Sequence, residues 1–282
     1  MVNRGAEKKR WLALRHDWQI DQGEVIAEQP ITIYVNGQEF VTLMGTPLNQ
    51  DWLAVGFLTN ENAIQGLEDI VHLRVMPSGC CVDVWLDQDI EKPQKTIITT
   101  GCGGGITYND PRIGVDPFQS SLQVEPEQIH RAFNNLQTKD SLYARSRGVH
   151  AAGLLDPVRD ELLLVVEDVG RHNTIDKIRG ASLMQDIHTR DKVLLCTGRI
   201  SSEMLRKTAV MGCPIVASRT SPTSLSVEIA RAWEMSLVGY ARRGKLRVYS
   251  RPDRLGYEDE LPVLDDGVQE SETAGKNEGS AG

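Results

Sequence analysis

Apolar and polar residues alternate through Ile31-Thr32-Ile33-Tyr34-Val35, pause at Asn36-Gly37, and alternate again from Gln38 to Leu43. Period-two runs on either side of an Asn-Gly pair predict a β-hairpin closed by a type I′ turn. The pattern then changes. Asp51 to Asn60, with Trp52, Leu53, Val55, Phe57 and Leu58, predicts a short helix, and Val82, Val84 and Leu86 predict another half-buried strand. Pro77-Ser78-Gly79 is a turn signal ahead of that strand, so the adjacent Cys80 and Cys81 are read as a hairpin end.

Beyond about residue 130 strands and helices take turns. Strands are predicted at 162–166, 193–197 and 215–218, each followed by a helix, at 173–184, 202–211 and 224–233. Two last strands, 236–240 and 245–249, complete the series. Such an order predicts a three-layer α/β/α sandwich around a largely parallel sheet. The expected organisation is a flexible leader over 1–20, a small α+β domain over 21–130, an α/β domain over 131–252 and a disordered acidic tail over 253–282.

Composition narrows the function classes. Among 282 residues 40% are hydrophobic, enough for a sizeable core, and 39 acidic against 31 basic side chains give a formal charge of −8. That balance argues against nucleic acid as a partner. No apolar run approaches the roughly 20 residues that span a bilayer, and the charged start Met1 to Arg10 has no apolar signal core after it. A cytoplasmic location without membrane attachment is expected. Five cysteines are an odd number, and the absence of an export signal points to reduced thiols.

One of these thiols has an unusual setting. Cys102 lies in Thr99-Thr100-Gly101-Cys102-Gly103-Gly104-Gly105, directly after the β-rich run 95–98. Glycines leave a sulfur uncovered and permit close approach of a ligand, which suits a reactive thiol. Cys196, within Val193-Leu194-Leu195-Cys196, is instead expected to be a core hydrophobe.

Three strand-to-helix connections repeat one plan, an arginine among small or hydroxyl residues. They hold Arg171 (167–173), Arg199 (198–202) and Arg219 (218–224). The crevice beyond the carboxyl ends of strands, with free helix N–H groups, is the usual ligand site of open α/β sheets, and the arginines favour phosphates there. The alternative is that Ser201, Ser202, Thr223 and Ser224 are ordinary helix caps. Tyr240-Ala241-Arg242-Arg243-Gly244-Lys245, between the last two strands, has an aromatic and two guanidinium groups suited to a purine base and its phosphate, or is a plain hairpin loop. His150 in Gly148-Val149-His150-Ala151-Ala152 invites comparison with zinc deaminases. Their His-x-Glu and Pro-Cys-x-x-Cys pattern fails here, because Ala152 stands where the glutamate is needed and Cys213 has no paired cysteine. No metal site is expected.

Taken together, the Cys102 loop, Gly148 to Ala152, Glu167 to Lys177, Gly198 to Met204 and Ala217 to Thr223 closely resemble the FdhD/NarQ family of formate dehydrogenase accessory sulfurtransferases. The resemblance runs from about residue 29 to about residue 249. It implies a cytidine-deaminase-like fold, a homodimer, and a sulfur carrier loaded by a cysteine desulfurase as a persulfide on Cys102. The implied acceptor is a bis(molybdopterin guanine dinucleotide) molybdenum cofactor destined for formate dehydrogenase. The implied binding residues for its guanine nucleotide part are Tyr240, Ala241, Arg242, Arg243, Gly244 and Lys245, with Arg171, Arg199 and Arg219 along the crevice. Many relatives have Cys-x-x-Cys in the loop, whereas this chain has Gly105 at the second position. A competing reading is therefore a chaperone that binds and delivers the cofactor without transferring sulfur. A thiol-disulfide oxidoreductase is disfavoured, because no Cys-x-x-Cys occurs in the chain.

Overall fold

Two sheets that share no strand divide the work of the chain, a four-stranded one and a six-stranded one. The computed structural model describes residues 5–90, 97–98, 106–107, 116–257 and 259. Before either sheet comes a correction to the expected leader over 1–20. Strands β1 (Ala6–Leu14) and β2 (Trp18–Ile26) form an antiparallel hairpin in continuous register from Ala6↔Ile26 to Leu14↔Trp18. The opening Lys-Lys-Arg run concealed it, since charged residues on a hairpin open to solvent read like an unstructured terminus.

The small sheet contains β3 (Gln29–Val35) and β4 (Gln38–Gly45), joined as predicted through Asn36 at φ 49° and Gly37 at φ 81°, both left-handed as a type I′ turn requires. Helix α1 (Gln50–Asn60) follows, then β5 (Ile70–Val75) and β6 (Cys81–Leu86). The order is β4-β3-β6-β5, with β3 and β6 parallel. Ile31, Ile33, Val82 and Val84 meet Leu53, Ala54, Phe57 and Leu58 of α1 in one core. Every residue of α1 from Leu53 to Asn60 is buried, because a second helix covers its other side. A two-residue pair, β7 (Ile97–Ile98) with β8 (Ile106–Thr107), follows the small sheet in the chain.

The remaining elements are α2 (Pro126–Asn135), α3 (Leu142–Ser146), β9 (His150–Asp156), β10 (Glu161–Asp168), α4 (Arg171–Met184), β11 (Val193–Cys196), α5 (Ser202–Val210), β12 (Ile215–Ser218), α6 (Ser224–Ala232), β13 (Ser236–Arg242) and β14 (Lys245–Ser250). The strand and helix alternation from β10 onward agrees with the sequence. The strand pairing does not. Order β10-β9-β11-β12-β13-β14 makes only β11/β12 and β12/β13 parallel, while β9 runs antiparallel between β10 and β11. Leu194 and Cys196 point to α4, α5 and α6, and Val193 and Leu195 point to α2, so the central strands are buried on both faces. Helix α2 packs whole on this sheet through Ile129, Phe133 and Leu136, which moves the expected division at residue 130 to before Pro126. At the other end, order continues through 253–257, and Arg254 is fully buried with its Nη1 donating to the Glu234 carbonyl at 2.7 Å. The expected tail from 253 is thereby corrected at its start, and 260–282 lie outside the described residues.

The two sheets are joined at α1 and α4. A Cβ on Gly56 would fall on the Asp176 carbonyl, and one on Gly180 would fall on the Trp52 carbonyl, so glycine on each helix permits their close contact. Around this crossing sit charges that water does not reach. Lys207 Nζ lies 2.9 Å from Asp176, 3.2 Å from Glu203 and 3.7 Å from Glu61, and stacks over the Phe57 ring. Asn60 Nδ2 donates to Asp176 at 2.8 Å, and Arg206 donates to the Asn60 carbonyl at 2.8 Å. A second knot ties α4 to the end of β4. Asp168 accepts from Thr46 N and from Asn173, and pairs with Lys177 at 2.6 Å, while Asn173 also donates to the Met44 carbonyl.

Both arrangements give measurable consequences. Gly56→Ala forces the helices apart and is expected to lower the free energy of unfolding by about 2–4 kcal/mol, read from the urea midpoint. His172, buried beside Glu203 and Ser201, has its pKa lowered from 6.5 to about 4, chiefly by burial. Between those values the unfolded chain binds more protons than the folded one, so this residue removes stability as pH falls from about 6.5 toward 4. Unfolding at pH 7 and pH 5 is expected to differ by about 2 kcal/mol less in His172→Gln than in the parent chain. An equal difference in the two proteins would refute the assignment.

Candidate functional site: the shared strand edge

Because β9 is antiparallel between β10 and β11, strands β10, β11, β12 and β13 all end on one edge of the large sheet. The predicted connections therefore do converge, although their side chains take different tasks. A cavity of about 980 Å³ opens at this edge. Thr197, Arg219 and Thr220 line it from the strand ends, His130, Phe133, Asn134 and Gln137 from α2, and Tyr143, Arg147 and His150 from the α3–β9 segment. Ala241, Arg242, Arg243 and Gly244 close the remaining side.

Local sequence explains each wall. Helix α2 begins at Pro126 after a capping box between Glu125 and Gln128. Its far end is pinned by Arg219, whose Nη1 donates to Gln137 at 2.6 Å and Nη2 to the Phe133 carbonyl at 2.8 Å, with the guanidinium over the Phe133 ring. Helix α3 is capped by the Glu167 carboxylate, which accepts from Leu142 N at 2.7 Å and Tyr143 N at 3.0 Å. That cap sets Tyr143 on the cavity wall and brings Arg147 over its ring, 4.9 Å from the centroid.

The β13–β14 connection supplies four unspent cations. Arg243 at φ 54° and Gly244 at φ 71° form a tight turn between Arg242 and Lys245. A bulge places Tyr240 at φ 53°, its N–H donating to the Thr220 carbonyl. The Tyr240 ring carries Arg247 at 4.3 Å and Arg242 at 6.0 Å. Tyr240, Arg242, Arg243, Lys245, Leu246 and Arg247 enclose a second cavity of about 510 Å³ on this loop. Arg242, Arg243, Lys245 and Arg247 are exposed and have no carboxylate partner among the described residues.

The other predicted residues stand apart. Arg171 is buried in the first turn of α4, beside His150, and lines neither of these cavities. Burial first and Arg171 second lower the His150 pKa, which leaves this cavity histidine neutral at pH 7. Arg199 is exposed and lines neither cavity. Ser201 and Thr223 are the caps of α5 and α6, accepting from Met204 N and Ser226 N, so their hydroxyls serve the helices. Residues missed by the sequence reading are His130, Asn134, Gln137, Tyr143 and Arg147. The capping box of α2 was a legible signal for that helix, but its polar face carried no motif.

Of the cysteines, Cys196 and Cys213 are fully buried and burial pushes both thiols up to about 12, as befits core residues. Cys213 donates to the Thr189 carbonyl. Cys80 and Cys81 sit at the turn into β6, partly buried. Among the described residues no three His, Cys, Asp or Glu side chains gather as a metal site, and no helix is long and apolar enough to cross a membrane. Cys102 lies outside the described residues, but its flanks do not. Ile98 pairs with Ile106 and Ile97 with Thr107, and Cys102 is four residues from Ile98 and from Ile106. Thr107 is buried and its Oγ1 donates to Glu61 at 2.9 Å, which roots this pair on the Lys207 cluster.

Comparison with known proteins agrees with the sequence reading. The FdhD/NarQ family pattern matches residues 26–256. A sulfur carrier protein FdhD of Staphylococcus haemolyticus is 35% identical over 237 residues, covering 82% of this chain and 89% of the relative. That of Bacillus subtilis is 32% identical over 256 residues, covering 86% and 97%. A crystal structure of a putative formate dehydrogenase accessory protein from Desulfotalea psychrophila superposes with a TM-score of 0.77 at 26% identity, covering 89% of this chain and 99% of that one. With the family pattern spanning both sheets and the whole cavity edge, the chain belongs to the FdhD/NarQ family.

Proposed function

We propose that this protein is a sulfurtransferase serving formate dehydrogenase. The Cys102 thiolate attacks the outer sulfur of a cysteine desulfurase persulfide, the S–S bond of the donor breaks, and the donor thiolate leaves as the Cys102 persulfide forms. The S–S bond of the Cys102 persulfide would then break as the outer sulfur passes to a bis(molybdopterin guanine dinucleotide) cofactor whose molybdenum, taken up in its reduced state, supplies the two electrons that make the sulfur a sulfide ligand, and Cys102 leaves as the thiolate; the cofactor is cargo for the dehydrogenase. Membership of the family, the sulfur carrier proteins among its relatives and the glycine setting of Cys102 support this reading.

The observation that carries cofactor binding is the 980 Å³ cavity with Arg242 and Arg243 at its rim. Its size suits a nucleotide, and exposed guanidinium groups suit a pyrophosphate. Arg242, Arg243, Gly244 and Ala241 form the primary contact surface in this proposal, Tyr240 and Lys245 the far side of the same loop. Arg219 contributes as a wall rather than as a free cation, Arg171 through its charge behind His150, and Arg199 only from outside the cavity. The six-stranded sheet with helices on both faces supports a cytidine-deaminase-like sandwich. Homodimer formation and action in the cytoplasm belong to the same proposal.

Two measurements test it. Incubation with a cysteine desulfurase and cysteine is expected to add one sulfur atom to the Cys102 peptide by mass spectrometry. An unmodified peptide, alongside retained nucleotide binding, would favour the delivery chaperone that Gly105 brings into view. Titration with guanosine diphosphate is expected to show roughly ten-fold weaker binding in Arg242→Ala, the effect of removing one charge-assisted phosphate contact. Equal affinities would take the loop out of the site.

A further inference from the structure

A separate cavity of about 400 Å³ lies where α4 and α5 end and the chain returns toward β11 and β12. Those are the amino ends of the parallel strands, so it belongs to the edge opposite the candidate site. Arg179 and Leu183, one turn apart on α4, line it together with Val210 and Met211 from the end of α5. Ile187 adds apolar surface, and His188 and Arg190 are exposed beside it. Arg179 is the odd member of this lining. It is half-buried, its Nε is shut off from solvent with no hydrogen-bond partner, and it forms no ion pair among the described residues. Other arginines withdrawn from solvent are answered: Arg206 and Arg254 donate to backbone carbonyls, and Arg219 to Gln137 and the Phe133 carbonyl.

No negative charge of the protein offsets this guanidinium. Burial lowers the Arg179 pKa, and the influence opposing that shift is Cys213, whose own thiol is pushed up to about 12 by burial and so stays neutral at physiological pH. A cation taken part of the way out of water without a counter-charge loses hydration and gains nothing in return. With Nε closed off, an anion that answers it has to enter from the cavity. Two features select among anions. Helices α4 and α5 both end here, and the partial negative charge of their carboxyl ends, with exposed Asp186 beside them, opposes a polyphosphate or any other dense polyanion. The apolar lining, in turn, gives a hydrocarbon portion a surface on which to leave water.

We propose that this cavity binds a small aliphatic monocarboxylate, with its carboxylate on Arg179 and its hydrocarbon part against Leu183, Ile187 and Met211. Arg190 and His188 add weaker, solvent-screened attraction from outside. The site shares no residue with the 980 Å³ cavity or with the β13–β14 loop, so it stands independently of the sulfur chemistry and of the nucleotide site.

The test adds isovalerate to the full chain and follows the broadening of its NMR signals. Saturable binding is expected, about ten-fold weaker in Arg179→Met, the effect of removing one charge-assisted contact. Arg190→Ala is expected to weaken it about two-fold, as befits an exposed charge, and Arg242→Ala to leave it unchanged. Isoamyl alcohol, which lacks the charge, and inorganic phosphate, which lacks the hydrocarbon, are each expected to bind about ten-fold more weakly than isovalerate. Absence of saturable isovalerate binding, equal affinity in Arg179→Met, a loss in Arg242→Ala, or equal binding of the alcohol or of phosphate would each overturn the proposal. Thermal unfolding separates a ligand site from a structural arginine. Methionine replaces the side chain without a stranded charge, so Arg179→Met is expected to melt no lower than the parent, and isovalerate to raise the midpoint of the parent alone. A lower midpoint in the variant, with no effect of isovalerate on the parent, assigns Arg179 to the fold and ends the proposal. If Arg179→Met does not fold, Val210→Trp, which fills the cavity from a half-exposed position, has to abolish binding, and retained binding there is equally decisive against the site.

Discussion

A lysine ammonium enclosed by three carboxylates holds this protein together. Lys207 on α5 reaches Asp176 on α4, Glu203 on its own helix and Glu61 at the end of α1, all nearly free of solvent. Bringing such charges out of water costs several kcal/mol per ion, and the cost is offset only while every partner stays in place. Burial raises the Asp176 carboxyl, while the three carboxylates keep Lys207 charged. Loss of any one partner leaves a buried charge unanswered. An arrangement of this kind contributes less to net stability than an apolar core of equal volume, but it admits one relative placement of the helices that carry it. The glycine contact of α1 with α4 and the Asp168–Lys177 pair bind the same two sheets, so they behave as one body.

That single placement explains why the candidate site is an edge rather than a cleft between moving parts. Four strands end together, and the helices that follow them spend their hydroxyls and much of their charge on structure. Ser201 and Thr223 cap helices, Asp168 and Asn173 hold β4, and Arg219 anchors α2. Four cations left for a ligand are on the one connection that starts no helix, the β13–β14 turn, and Arg147 joins them from the cavity wall. A ligand held there meets guanidinium groups at the rim and a neutral His150 on the cavity wall.

Much of this was legible in residue order. Alternation and the Asn-Gly pair located the β3–β4 hairpin, and the apolar run Val193 to Cys196 located a strand that the structure buries on both faces. The β1–β2 hairpin escaped because its strands pair only with each other and keep Leu12, Leu14, Trp18 and Ile20 exposed, so no core imposes a pattern on them. Strand β9 escaped because Gly148 to Ala152 drew attention as a motif, and with it went the antiparallel insertion that makes the sheet mixed. The three arginine connections lie on one edge, where Arg219 anchors α2, Arg171 is buried and Arg199 is exposed. Sequence spacing does not reveal that Asp176 meets a lysine thirty-one residues away, nor that Asp168 and Asn173, in a connection suggestive of phosphate binding, hold the end of β4.

The Lys207 cluster also bears on the chemistry proposed for Cys102. Thr107 hangs from Glu61, and Glu61 belongs to the Lys207 cluster, so the root of the segment carrying the thiol is fixed to the most constrained part of the protein. Under the proposed sulfur transfer, specificity for donor and acceptor then falls on the surfaces around this root and on the arginine-bearing edge. His172 Nε2 lies 3.3 Å from Glu203 of the cluster and 3.2 Å from the Ser201 hydroxyl. The buried charges that fix the root of the thiol segment lie on α1, α4 and α5, the helices that join the two sheets, so the place of that root relative to the large sheet is set by packing.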